Sequence, residues 1–291
     1  MSERMLSAVR PERLAEPIDA KNLGIVEKPL SLWERIWNVG AVRKVLILIA
    51  LAGIWEIGAR AYNSPLLVPT FGVTVQAFFV SLVHGDLLLR IWTSIQVLLL
   101  GYAAGVILAA ILTALAITTR IGNDFLETLT AMFNPLPAIA LLPLALIWFG
   151  LGYKSLVFVL IHSVLWAVAL NTHSGFVSVS PTLRMVGKNY GLRGLAYVGK
   201  ILIPAALPSI LTGLKIGWAF AWRTLIAAEL VFGISSGSGG LGRFIYESKN
   251  TLDIPNVFAG LFAVILIGLF VENVIFRTLE GRTIRRWGMA S

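Results

Sequence analysis

The sequence predicts an all-α integral membrane protein with six core transmembrane helices and a cytoplasmic helix–glycine–helix loop between the fourth and fifth. Three observations carry this. Hydrophobic residues make up 57% of the 291 and charged residues only 13%, about half the charged share of a soluble domain. Apolar stretches long enough to cross a bilayer, about 20 residues each, recur along the chain. Between two of them lies a polar segment, Pro181–Pro208, with Arg184, Lys188, Arg193 and Lys200 and no acid, the mark of a cytoplasmic loop.

Residues 1–44 read as a cytoplasmic tail: mixed in charge, containing proline, and without an early apolar core and small-residue cleavage site, so no secretory signal is expected. Within it Leu32–Trp37 fits a short amphipathic helix at the interface, anchored by Trp33 and Trp37. Residues 45–89 hold the first span, Val45–Tyr62, and an external segment with one amphipathic helix, Thr70–His84. Glu56 and Arg60, at i and i+4 near the outer end of that span, are spaced to pair.

The core, residues 90–280, follows. Its first span is Ile91–Thr118, with Gly101 and Gly105 four apart as a small-residue packing face. A turn at Thr119–Asp124 leads to Phe125–Phe149, which Pro135, Pro137 and Pro143 interrupt. Prolines inside a span free carbonyls that protein or a water-lined cavity must meet, which makes Pro137 a candidate for a pathway. Tyr153–Thr172, the Pro181–Pro208 loop, Ser209–Phe232, an external stretch Gly233–Asn256 and a last span Val257–Phe276 complete the core, and residues 281–291 form a basic cytoplasmic tail.

Six spans put both termini on one side, and the basic residues choose it. Eight precede Val45, one lies in Thr119–Asp124, four in Pro181–Pro208 and four after Phe276, seventeen in all, against five on the other side. Termini and loop are therefore expected in the cytoplasm. The net charge of +9 reflects this flanking rather than nucleic-acid binding. With no cysteine, and three histidines that have no carboxylate at ligand spacing, no metal site is expected.

The loop resolves into two short helices. One starts after Ser180-Pro181, a cap with proline at the first helical position, and stops around Tyr190-Gly191; the other runs from about Leu195 and ends before Pro204. This segment resembles the signature loop of the ABC importer permeases: a Glu-Ala-Ala triplet, three residues, Gly, nine residues, then Ile-x-Leu-Pro. Gly191, Ile201 and Pro204 fall at the matching spacings, Ile203 stands for the Leu, and the triplet is Met185-Val186-Gly187, without its Glu. Asn189-Tyr190-Gly191-Leu192 and Ile203-Pro204-Ala205-Ala206-Leu207-Pro208 are most similar to the sulfonate, taurine and nitrate branch.

The resemblance implies a type I importer permease fold, and a homodimer with a pathway along its two-fold axis in a bacterial inner membrane. It implies ABC ATPase subunits docked on the loop, with Met185, Val186, Gly187, Tyr190, Gly191 and Leu192 at the contact. It also implies an extracytoplasmic solute-binding protein that delivers the substrate. ATP and magnesium would belong to the ATPase, leaving this chain without a cofactor.

Two motif imitations fail on context. Gly194-x4-Gly199-Lys200 lacks the Ser or Thr of a P-loop, because Ile201 follows. Gly233–Gly237 has the spacing of a nucleophile elbow, but no histidine follows residue 173, so no catalytic residue is expected. Polar residues inside spans are better candidates, since charges there face a bundle interior or cavity. Arg223 is nearest mid-span and would bias a pathway toward anions; Glu229 and His162 join it as pathway candidates. The alternative function is a secondary transporter without an ATPase, which would want paired intramembrane carboxylates or an internal repeat; neither is evident.

Overall fold

The computed structural model describes residues 31–232 and 239–283 and divides into two units, residues 1–54 and 55–291. The tails 1–30 and 284–291 and the Gly233–Gly237 motif lie outside the described residues. In the first unit, α1 (Leu32–Asn38) is the expected helix. Ser31 and Glu34 cap it reciprocally: the Glu34 N–H donates to Ser31 Oγ at 3.2 Å and the Ser31 N–H to the Glu34 carboxylate at 2.9 Å. Trp33 and Trp37 stack with ring centroids 5.6 Å apart. The chain then enters α2 (Gly40–Tyr62), which continues into the second unit.

In the second unit Glu56 near the end of α2 takes the Arg60 guanidinium at 2.7 Å and the Gly72 N–H at 3.0 Å. It thereby ties the helix to the start of α3 (Phe71–Val83). The long α4 (Leu87–Thr118) follows, and α5 begins at once as Arg120–Phe133, with Thr119 capping it through its hydroxyl. The expected turn at Thr119–Asp124 thus shrinks to one residue. Pro135 and Pro137 supply no N–H to the helical ladder, although Asn134 before the first of them keeps helical angles (φ −63°, ψ −35°). The chain therefore breaks at residues 134–137 and resumes in a 3₁₀ turn (Ala138–Leu141) and α6 (Leu142–Phe149). The two pieces meet at 87°, so the segment expected as one interrupted span is two helices nearly at a right angle.

The buried centre is α7 (Tyr153–Val177), five residues longer than its expected end at Thr172. It is flanked by α4 and by α11 (Leu207–Phe232). Small residues permit the close approach: a Cβ on Gly101 would fall 2.5 Å from Leu160 and one on Gly105 2.7 Å from Val164. On the other side Gly217 lies against Val168 and Val164.

Between α7 and α11 come α8 (Pro181–Asn189), α9 (Gly194–Tyr197), a π-helical turn (Val198–Leu202) and α10 (Ile203–Ala205). The second helix of the loop was expected to end before Pro204 but runs through it. The π turn explains this. The Ile203 N–H already reaches back five residues to the Val198 carbonyl, and Pro204 falls where the ladder is interrupted. The chain then bends by 81° into α11.

The stretch Gly233–Asn256, expected only as external, contains a helix the sequence reading did not place, α12 (Leu241–Asn250). Leu241, Phe244, Ile245 and Ser248 form one buried face, while Arg243 and Glu247 pair at 2.6 Å on the other. The last span is α13 (Ile254–Phe270), continued through a second π-helical segment (Val271–Phe276) into α14 (Arg277–Arg282). Among the described residues four helices are long and apolar enough to cross a membrane, or up to six if each bent pair is one span.

Candidate functional site: a polar cavity and an exposed helical hook

Two features stand out. The first is a cavity of about 320 Å³ where the break between α5 and α6, residues 134–139, faces α7 and α11. It brings together three of the four pathway candidates: Pro137 from the break, His162 from α7 and Arg223 from α11. Arg223 lies on the exposed stripe of α11 with Ala219, Phe220 and Ala227. Its Nε donates to the Ala219 carbonyl at 3.1 Å, and its guanidinium sits 5.1 Å from the Phe220 ring centre. Among the described residues no acid pairs with it.

Trp166, also in the wall, stacks on Phe133 at 5.8 Å with the rings 9° from parallel. Its Nε1 and both ring nitrogens of His162 are buried and, among the described residues, without a hydrogen-bond partner. Asn134 did not stand out in the sequence, and Trp166 reads there as a packing aromatic within a span. Each is unremarkable alone, and only the packing of three distant segments gathers them.

Glu229, the fourth candidate, lies outside this cavity. Its side chain is 1% exposed. Both carboxylate oxygens are 2.9 Å from Ser94 Oγ of α4, and the Gly242 N–H donates to one of them at 2.8 Å. Ser94 Oγ in turn accepts the Leu241 N–H at 2.8 Å. The carboxylate and hydroxyl together satisfy free N–H groups at the start of α12 and fasten that helix to α4 and α11. The fit is tight: a Cβ on Gly240 would collide with the carboxylate.

The second feature is the hook formed by α8 to α10. Ser180 caps α8 through its hydroxyl. At the other end the Gly191 N–H donates to the Lys188 carbonyl at 2.9 Å and the Leu192 N–H to the Gly187 carbonyl at 3.1 Å, with Gly191 at φ +70°. This pair of bonds is a Schellman stop, which a left-handed glycine suits. Gly187, in the place of the triplet's last alanine, lets the two helices touch: a Cβ there would lie 2.9 Å from the Tyr197 ring and 3.0 Å from Ile201.

Phe176, Val179, Val198, Leu202 and Ala206 form a small core beneath the hook. Above it Met185 (57% exposed), Val186, Tyr190 (81%) and Leu195 (75%) are bare, and Pro204 and Ile201 lie in the second helix.

Arg184 was legible only as a loop cation. In the structure its guanidinium donates to the carbonyls of Phe176 at 2.6 Å, Val177 at 3.1 Å and Val179 at 3.0 Å. It thus caps the C-terminus of α7, where a cation also meets the negative end of the helix dipole. The hook is therefore keyed to the helix that carries His162 and Trp166. Deeper along α11, Lys215 reaches Glu272 of the second π segment at 2.6 Å.

Long apolar helices around a cavity that holds Arg223 and His162, with an exposed helical hook beside it, fit the class of membrane transport subunits. Comparison specifies it: residues 101–285 match the family described as binding-protein-dependent transport system inner membrane component, and the chain belongs to that family.

It is a non-catalytic ABC transporter permease of the inner membrane, and the family implies a binding protein and an ATPase as partners. Similar proteins include an ABC transporter permease protein of Methanocaldococcus jannaschii, 32% identical over 224 residues, 76% of this chain and 83% of the relative. An aliphatic sulfonates transport permease of Bacillus subtilis is 27% identical over 85% of this chain and 88% of its own length. A nitrate import permease of Synechocystis is 27% identical over 86% and 90% respectively.

Proposed function

We propose that this chain is the transmembrane subunit of an ATP-driven importer for a small anionic solute, such as a sulfonate, taurine or nitrate. It works as a homodimer with six spans per copy, taking each bent pair as one crossing, and with termini and hook in the cytoplasm. The observation that carries the reading is the hook. It is a two-helix unit, apolar on its bare face, capped at both ends of α8 and locked by Arg184 onto α7. A rigid element of this kind takes a push from an ATPase seated on Met185, Val186, Tyr190 and Leu192 and delivers it to the helix lining the cavity.

Arg223 supports the dimer and the anion. A mid-span charge facing lipid costs about 2.5–3.5 kcal/mol, so its exposed stripe fits a shared aqueous pathway between two copies. The relatives' sulfonate and nitrate descriptions agree with a cationic lining. Handover by a binding protein at the outer face follows from the family.

The carboxylates weigh against a self-sufficient secondary transporter. Glu56 is held by Arg60 and Gly72, Glu229 by Ser94 and Gly242, and Glu272 by Lys215, each in a structural bond. The test is purification from the native membrane. We expect an ABC ATPase to co-purify and uptake to require ATP; proton-driven uptake by this chain alone would overturn the proposal.

A further inference from the structure

We infer that the cavity at the α5–α6 break is a transit site for an organic monoanion, a sulfonate or carboxylate carrying an aryl or alkyl body, rather than for a bare inorganic anion. This rests on the importer reading above and specifies its substrate class. The first argument is the balance of donors and acceptors. The walls include Arg223 and no Asp or Glu. A guanidinium has five N–H donors and no acceptor, and among the described residues only Nε has a partner.

Trp166 adds an N–H, and a neutral His162 adds one N–H and one acceptor nitrogen, all without partners among the described residues, while the Ser163 and Thr224 hydroxyls share one hydrogen bond at 3.1 Å. Such a surplus of donors calls for a guest rich in acceptors and negative in charge.

The second argument is shape. The space of about 320 Å³ falls at the lower end of pockets that hold small organic molecules, roughly 300–1,000 Å³. Its flanks are the Trp166 ring, braced by Phe133, and the Phe220 ring under the guanidinium. A planar anion of three oxygens would fill one end and leave the aromatic walls wet. A sulfonate with a ring or short alkyl chain places its head at Arg223 and its body along Trp166 and Phe220, removing both from water.

The experiment uses the full chain in lipid nanodiscs with three probes at equal ionic strength: benzenesulfonate, nitrate and the cation benzyltrimethylammonium. A saturating ligand should raise the thermal midpoint by about 2–4 °C. We expect that shift from benzenesulfonate, less than half of it from nitrate and none from the cation. Arg223→Gln should abolish the benzenesulfonate shift, and Trp166→Phe, which keeps an aromatic face but drops the N–H and the second ring, should reduce it.

Equal shifts from benzenesulfonate and nitrate, a shift from the cation as large as that from the sulfonate, no shift at all, or a full shift in Arg223→Gln would each overturn the proposal. The three probes on the unmodified chain decide the matter even if a variant fails to fold. The readout needs neither ATPase nor transport, so its failure removes this site and leaves the ATPase test standing.

Discussion

Gly191→Val should reduce ATP-dependent uptake at least tenfold while the subunit still accumulates in the membrane at its normal level. Gly191 sits at φ +70° and supplies the left-handed stop that ends α8. An L-residue there costs about 1–2 kcal/mol, and a β-branched one is a genuine outlier. A Cβ at this position meets nothing within 4 Å, so the penalty comes from backbone strain and not from collision.

The chain relieves that strain by opening the Schellman bonds and letting α8 swing away from the second helix. Arg184 and the small core under the hook keep it attached to α7, so the bundle survives while the face presented to the ATPase changes its angle. Gly191→Asn, which tolerates the left-handed region, should keep most of the uptake. Transport in proteoliposomes, set beside ATP hydrolysis and membrane abundance, checks this. Full uptake in Gly191→Val would mean the stop has no part in coupling.

The other large effect is expected at Glu229. Glu229→Leu keeps the bulk but leaves the Gly242 N–H and the Ser94 hydroxyl facing an apolar side chain. Each buried donor without a partner costs about 1–3 kcal/mol, and a kcal/mol moves the midpoint of a chain of this size by roughly 2–4 °C. The detergent melting midpoint should therefore fall by about 5–10 °C. α12, fastened to α4 and α11 through this carboxylate, should become the first segment to exchange its amide hydrogens.

Glu229→Gln, which retains an acceptor oxygen, should stay near wild type in both stability and uptake. That contrast separates a fastening from a proton carrier: if Glu229 moved protons, Gln would abolish uptake as thoroughly as Leu. Loss of uptake in Glu229→Gln with normal stability would therefore revive the secondary-transporter alternative.

Much of this architecture was legible because a bilayer demands long apolar helices. Their runs announce α2, α4, α7 and α13 without help from tertiary context. Polar exceptions inside apolar runs announced His162 in α7 and Arg223 in α11. The remainder depended on geometry that one strand of text does not carry. α12 escaped notice because its outer face, Arg243, Glu247 and Lys249, follows a glycine-rich stretch and conceals the buried positions Leu241, Phe244, Ile245 and Ser248.

The prolines at 135 and 137 indicated a break in the third span but not its 87° bend, which is what opens the cavity. Glu229 looked like Arg223, a charge in a span, and only the surroundings distinguish a carboxylate capping α12 from a guanidinium beside open space. Arg184 looked like any cytoplasmic cation until its three carbonyl acceptors were in view.

The central claim is that force enters through the hook from the cytoplasmic side, and one residue reads it directly. The chain has no cysteine, so Tyr190→Cys places a single thiol on a side chain that is 81% exposed. In intact cells a membrane-impermeant maleimide should leave it unlabelled. In inside-out vesicles stripped of the ATPase it should label fully, and rebinding the ATPase should protect it. Labelling from the outer face, or undiminished labelling with the ATPase bound, would contradict the account.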